Sequence, residues 1–556
     1  MANIFNSVKV RAPKYNVFNL SHGTKFSCNF SKLIPFMCQE VLPGETWTVS
    51  TQGFVRFLPL VTPMMHHIDV KMWYFFVPNR LVNEHWRDFI TYGVDGPNAS
   101  LAPKFAKPFV DVVTNNILGT GGKLSYTDFS DGSLMDFLGF PTPSASDWDN
   151  FAGTDGVPSV DLMPFIGYHL IYNEYFINRN VQSNLDSSLE KAREYVGKQS
   201  LTGNEWLFKL HDVNWNMDYF TSCLPFVQRG VAAPIPISGN IELLNNDYNG
   251  ASTVAKPSQG EAPTQPYDSD IKTDESSNLQ ADRIDGSGAQ NIQLDITGHT
   301  EARFSGSTAT INDLRWATRL QNWMEKSARV GSRYIEQIKA HFGVTSSDAR
   351  QQRPELLGAG QFPIVISDVE QTSDTNQQTT PQGNLAGKGT GFGISKGWKK
   401  NFEEHGFLFG IMTISPRAVY KNIFPRQFLR FNPMDYYFPE FQYLGEQSVT
   451  KREVSPSFKN SDSAYNNSLF GYQQRFAEYR YIPSTVHGDF KSDAALSKWV
   501  MCRELGKVAL NDDFVRQQVD YNNFADVSDG SDHCLVELWN DVKASRPMDI
   551  YATPTL

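Results

Sequence analysis

Apolar and polar residues alternate through much of the first hundred positions. Phe26, Cys28 and Phe30 stand between polar neighbours, as do Trp47 and Val49, and Ile68, Val70, Met72, Tyr74 and Phe76 mark every second position up to Pro78. A period of two in β-branched and aromatic residues predicts strands with one buried face, and Pro43-Gly44 supplies a turn between them. The period changes after Pro78: Leu81, Val82, His85, Trp86, Phe89 and Ile90 recur at helical spacing before Gly93, with Asn79 as the cap. A longer helical pattern runs over 313–342 through Leu314, Ala317, Leu320, Met324, Ala328, Gly331, Ile335, Ile338 and Phe342. Thr310-Ile-Asn-Asp313 fits its N-terminal cap and Gly343 its stop. Pro363–Val369, His405–Ser415, Tyr472–Ile482 and Cys534–Val542 read as strands again. Many short strands split by long loops, with one helical excursion, favour an antiparallel sandwich or jelly roll over any βαβ design.

Composition marks the interruptions. Residues 94–160 are rich in Gly, Pro, Asp and Ser, and 371–397 form a low-complexity stretch of Gln, Thr, Gly and Ser; both read as loops. Residues 239–300 hold ten acidic and three basic side chains, a balance of −7, and only two aromatics, Tyr248 and Tyr267. Such a stretch adds little core and reads as a linker, a disordered loop or a solvent-facing excursion. The whole chain of 556 residues carries −10, so the other 494 carry −3. At about 150 residues per domain the length predicts three or four domains, although an all-β core with insertions can use it in one.

Several classes fall away. An aromatic share of 13 % excludes disorder as a description of the whole chain. The negative balance excludes a nucleic-acid binder driven by bulk positive charge. The apolar stretch Phe407–Ile414 is far short of the roughly 20 residues that cross a bilayer. Cys28, Cys38, Cys223, Cys502 and Cys534 are scattered without CxxC spacing, so no zinc ribbon or redox motif is present and a disulfide framework is not expected. The first ten residues lack the apolar run of a signal peptide, which points to synthesis in a reducing cytoplasm.

Motifs for catalysis or metals find little context. Gly393-Ile-Ser395-Lys-Gly397 satisfies the GxSxG nucleophile pattern but lacks the strand-to-helix turn the mechanism needs. Gly387-Lys-Gly-Thr-Gly-Phe-Gly393 fits neither phosphate-binding motif and reads as a flexible loop. His66 and His67, just before Asp69, point to opposite faces of an extended chain and do not easily share a metal. Glu403-Glu404 reads as a solvated pair. Neither a catalytic residue, a metal site nor a cofactor is assigned. A nucleic-acid contact has more support. Residues 1–60 hold six basic and two acidic side chains, and Lys9, Arg11 and Lys14 are interleaved with Phe5, Tyr15 and Phe18. Such an arm can neutralise phosphates and stack on unpaired bases, or be a solvated terminus. Arg315, Arg319, Lys326, Arg329, Arg333 and Lys339 on the long helix could face DNA, another subunit or water.

Phe75-Phe-Val-Pro-Asn-Arg-Leu81, Asp218-Tyr-Phe-Thr-Ser-Cys-Leu-Pro225 and Thr310-Ile-Asn-Asp-Leu-Arg315 resemble segments of the major capsid proteins of the Microviridae, small icosahedral single-stranded DNA phages, particularly the gokushovirus-like branch. The likeness continues in order through Gly331-Ser-Arg-Tyr-Ile-Glu336, His341-Phe-Gly-Val344, Asp348-Ala-Arg350, Arg353-Pro-Glu355 and Gln371-Thr-Ser373. It reaches the C-terminal part at Glu404-His-Gly406, Leu444-Gly-Glu-Gln447 and Phe476-Ala-Glu-Tyr-Arg480. The resemblance implies a mainly β fold: a single eight-stranded antiparallel jelly-roll β-barrel over 1–556, with long loop insertions and some helices. It implies self-assembly into a T=1 icosahedral shell around circular single-stranded DNA, a separate small basic packaging protein, and no enzymatic activity. In relatives of that branch an insertion forms protrusions at the threefold axes, and 239–300 matches it in position and composition, as a surface for a host receptor. The expected location is the virion, after synthesis and assembly in the bacterial cytoplasm, without a membrane partner. Two other readings remain: a carbohydrate- or cell-surface-binding jelly roll, and a β-sandwich hydrolase using Ser395.

Overall fold

The computed structural model describes residues 14–93, 130–142, 161–193, 206–233, 311–370, 385–491, 496–528 and 530–551, with the backbone of short strands at 104–105, 160–161 and between 239 and 306. The chain divides into two compact units, one of 1–229 with 326–556 and one of 230–325.

The larger unit is built on one antiparallel sheet of ten strands. These are β1 (Asn16–Asn19), β2 (His22–Cys28), β3 (Ile34–Val41), β4 (Thr46–Phe57), β5 (Ile68–Pro78), β6 (Glu355–Glu370), β7 (Leu385–Ile394), β8 (Trp398–Asn401), β9 (Gly406–Pro416) and β10 (Cys534–Arg546). Eight of them follow one path, β1-β10-β4-β7-β6-β5-β9-β3; β2 adds to β10 and β8 to β4. The long β6 carries the curl. Its first part, to Ile364, pairs with β5, and its second, from Val365, pairs with β7. Pro363, which has no N–H to donate, lies beside this changeover.

Alternation in the sequence sets the faces. Trp47, Val49, Val55 and Phe57 of β4, Met72, Tyr74 and Phe76 of β5, and Leu408, Met412 and Ile414 of β9 point inward with Val536 and Leu538 of β10. Strands from both ends of the path therefore share one core, as a sheet rolled onto itself requires. Mainly β architecture and a jelly-roll-like curled antiparallel sheet with insertions agree with the expectation.

One sequence expectation is overturned here. The second half of 371–397 is not a loop: Leu385–Ile394 is a strand within the sheet. Its glycines recur at 387, 389, 391 and 393, on the face that meets the core. A Cβ at Gly389 would lie 2.2 Å from Phe57, and one at Gly393 would lie 2.3 Å from Phe362. The missing side chains make room for rings from neighbouring strands.

The other face of the sheet is apolar where it is covered. Phe75 and Val77 of β5 with Phe409 and Ile411 of β9 pack under helix α1 (Met163–Ile171), whose nine residues are all buried. This second core is tied by ring hydrogen bonds: His169 Nδ1 lies 2.8 Å from His211 Nε2, and His169 Nε2 lies 2.9 Å from the Leu207 carbonyl.

The remaining expectations divide. The turn at Pro43-Gly44 is present, with Gly44 at φ +86°. The pattern over 79–90 gives two short helices, Asn79–Val82 and Trp86–Thr91, and Pro78 rather than Asn79 occupies the cap of the first. The pattern over 313–342 gives α2 (Ile311–Val330) and α3 (Tyr334–Phe342), split where Gly331 adopts φ +113°. Gly343 ends α3 in the left-handed conformation. The strand expected at Tyr472–Ile482 stops at Gln474, because Phe476 turns to φ +60° and a single helical turn follows. The Thr310 cap and most of 94–160 lie outside the described residues.

The smaller unit includes the acidic stretch, and its backbone forms strands rather than featureless linker. Gly239–Leu244 pairs with Glu301–Gly306, with Leu244 opposite Glu301. Between them Ala255–Pro257, Tyr267–Thr273, Leu279–Arg283 and Ala289–Leu294 form a four-stranded antiparallel sheet.

Candidate assembly surface

Between Pro425 and Gly445 the chain makes three single turns, Arg426–Phe428, Pro433–Asp435 and Pro439–Phe441. Proline with its fixed φ starts the second and third and precedes the first. Turns this short cannot bury both sides of the chain. Six of the seven aromatics in 428–443 are consequently exposed, Phe431 at 76 % and Tyr443 at 86 %. Large aromatics grouped in one exposed segment suit an interaction site, since leaving apolar surface in water is costly.

The display is held from below by ion pairs. Arg430 lies 3.3 Å from Glu478 and stacks 4.4 Å from the centre of the Tyr479 ring. Arg426 lies 3.3 Å from Glu453, whose carboxylate also caps Thr450 N–H at 3.0 Å. Burial pushes the Glu453 carboxyl above its ordinary range, and Arg426 partly offsets this. Gln447 Nε2 donates to Glu478 at 2.7 Å, and Tyr437 meets Phe476 edge-on at 5.2 Å. Beside the turns is a cavity of about 530 Å³, lined by Phe220, Phe424, Phe428, Tyr481 and Ile482 with Arg430. Rigid rings next to an apolar recess suit burial against another protein surface.

The residues singled out in the sequence are placed elsewhere. Lys14 is exposed just before β1, while Lys9 and Arg11 lie outside the described residues. Arg329 pairs with Glu446. Arg333 reaches Glu336 at 3.2 Å and donates to the carbonyls of Asn173 and Ile177 at 2.9 and 3.1 Å, so these two fasten the fold. Ser395 is 3 % exposed. Its Oγ accepts from Thr51 N–H at 2.9 Å and lies 3.0 Å from the Tyr74 hydroxyl, with no histidine among these partners. The GxSxG turn is thus a plug that joins β7 to β8 inside the core. His66 Nε2 lies 2.9 Å from the Arg417 carbonyl and Arg417 pairs with Asp69 at 2.8 Å. Glu403 is exposed, and the partly exposed Glu404 also pairs with Arg80 at 2.7 Å. Among the described residues no group of three or more His, Cys, Asp or Glu is placed to hold a metal ion. No helix there is long and apolar enough to cross a membrane. The sequence reading missed the 428–443 surface, whose signal was present as aromatics crowded between prolines.

A curled antiparallel barrel with long insertions and an exposed aromatic surface defines a subunit built to associate. Residues 7–556 match the phage family described as capsid protein (F protein), and the chain belongs to that family. It is 32 % identical to capsid protein VP1 of Chlamydia phage 1, covering 100 % of this chain and 98 % of that protein. Capsid protein VP1 of Bdellovibrio phage phiMH2K is also 32 % identical, over 97 % of this chain and 94 % of that protein. Capsid protein VP1 of Spiroplasma virus 4 is 27 % identical over the same shares. The role of the chain is therefore structural, as the major capsid protein. A capsid protein acts by associating with copies of itself into a shell, and its place is the virion.

Proposed function

We propose that copies of this chain close into a T=1 icosahedral shell around a circular single-stranded DNA genome, with no catalytic step of their own. The observation that carries the reading is the exposed aromatic array on 428–443, in a chain related to capsid proteins along its whole length. Heterologous contacts repeated about closed symmetry axes let one sequence make a finite shell. The buried, hydrogen-bonded Ser395 speaks against hydrolysis, and the capsid relatives speak against a free-standing carbohydrate-binding module.

Other assignments belong to the same proposal. The inserted unit, with its −7 stretch over 239–300, faces outward and meets the host receptor. Lys9, Arg11 and Lys14 neutralise phosphates of the genome, and a small basic protein supplies the rest of the positive charge that packaging needs. Synthesis and assembly take place in the bacterial cytoplasm. Purified particles treated with nuclease test the reading: protected circular single-stranded DNA is the expected content. Removing residues 1–14 should lower that content more than it lowers subunit stability. Particles holding double-stranded DNA, or subunits that never protect nucleic acid, would contradict it.

A further inference from the structure

Two of the five cysteines face each other. Cys28 is the last residue of β2, Cys534 is the first of β10, and they are register partners in the antiparallel ladder. Directly opposed residues in such a ladder have Cα atoms about 4.5–5.5 Å apart, inside the roughly 4.4–6.8 Å that a disulfide spans. Both side chains point into the core of the sheet, at 2 % and 0 % exposure. The other thiols are placed differently. Cys223 donates to the Tyr219 carbonyl at 3.3 Å, and Cys38 stands opposite Phe409. All five are free thiols in this structure.

We propose that Cys28 and Cys534 form a latent cross-link, kept as a dithiol while the chain is made in reducing surroundings and closed by a disulfide oxidant afterwards. The timing rests on the capsid reading; the chemistry rests on the register alone. Access comes through β2, which among the described residues pairs only with β10 and so lies at the edge of the sheet, where strands open first. When β2 lifts, the Cys28 thiolate attacks the disulfide of an oxidant such as oxidised glutathione. One glutathione thiolate leaves and a mixed disulfide remains. The Cys534 thiolate then displaces the second glutathione and forms the Cys28–Cys534 bond. The two protons of the protein thiols end on the two glutathione thiols, so the protein loses two electrons and the oxidant gains them. The bond ties the second strand of the chain to its last, a very long closed loop, which restricts the unfolded chain strongly. Burial lifts the Cys534 thiol well above its ordinary value, which keeps that thiol inert while the ladder is closed.

The test is a thiol count on the purified full-length chain, assembled or not, after incubation with oxidised glutathione a few degrees below its unfolding midpoint. The expected result is loss of two of the five thiols, one non-reducing peptide pair containing Cys28 and Cys534, and a higher unfolding midpoint that dithiothreitol reverses. Cys534→Ala should lose the linked peptide and the midpoint shift; should that variant fold poorly, the peptide map of the unmodified chain decides alone. Five thiols remaining, glutathione adducts without a cross-link, or a link through another pair would each overturn the proposal. Because the count is made on the subunit, failure of the shell reading would leave it intact, and the reverse holds.

Discussion

At the scale of single residues, this fold depends as much on absent side chains as on large ones. Gly389 and Gly393 leave the space that Phe57 and Phe362 fill, and a methyl group at either would have to displace a ring. Their composition alone looked like a loop, since glycine weakens strands; the spacing of two was the legible signal. Nothing in the sequence announced the His169–His211 pair, because its partners are forty-two positions apart and meet only once α1 is packed in place. Its protonation follows from geometry. His169 Nε2–H donates to the Leu207 carbonyl, so Nδ1 accepts from His211 Nε2–H and both rings are neutral. Burial lowers His169 from 6.5 to about 4, and burial with the neighbouring His169 lowers His211 well below 6.5. Depressed values in a base mean that the unfolded chain binds more protons. The stabilisation is therefore complete above pH 6.5 and is lost as pH falls toward about 4. Each histidine should contribute a slope of up to about 1.4 kcal/mol per pH unit in that window. Denaturant unfolding across it, with His169→Gln and His211→Gln, should show the slope and its loss; a flat profile in the unmodified chain would contradict the assignment.

At the scale of elements, β4 and β10 were legible from a period of two, because each buries one face and exposes the other. β5 and β9 were legible instead as runs of apolar residues, because the core covers one face and α1 the other, so both faces are buried rather than one. The misses have local backbone causes that side-chain periodicity does not encode: Gly331 and Phe476 enter positive φ and end their elements there. The inserted segment was legible as a composition shift but not as strands, since its sequence is too polar to show a regular apolar alternation. Its stem allows a specific excision. Leu244 lies opposite Glu301 in an antiparallel pair, so replacing 245–300 by Asn-Gly should close the stem as a two-residue hairpin. Calorimetry should find the cooperative unfolding of the larger unit at an unchanged midpoint. Loss of soluble, cooperatively unfolding protein would show that the segment supports the barrel.

At the scale of the whole molecule, the family was legible because its motifs recur in order along the chain. The association surface was not, because exposure of an aromatic depends on how distant segments cover it. Aromatics serve both needs here, Trp47, Tyr74 and Phe409 inside and Phe431 and Tyr443 outside. Charge is divided as well, with −7 of the −10 in 239–300, so the rest of the subunit is near neutral and repels its copies little. The central claim is that copies of this chain join through the 428–443 surface. The most direct measurement is the sedimentation mass of the purified chain beside that of a Phe431→Ser, Tyr443→Ser variant. The unmodified chain should give uniform particles of about sixty subunits, and the variant should remain a folded monomer with the same unfolding midpoint. A chain that stays monomeric under all conditions, or a variant that assembles as the unmodified chain does, would contradict the account.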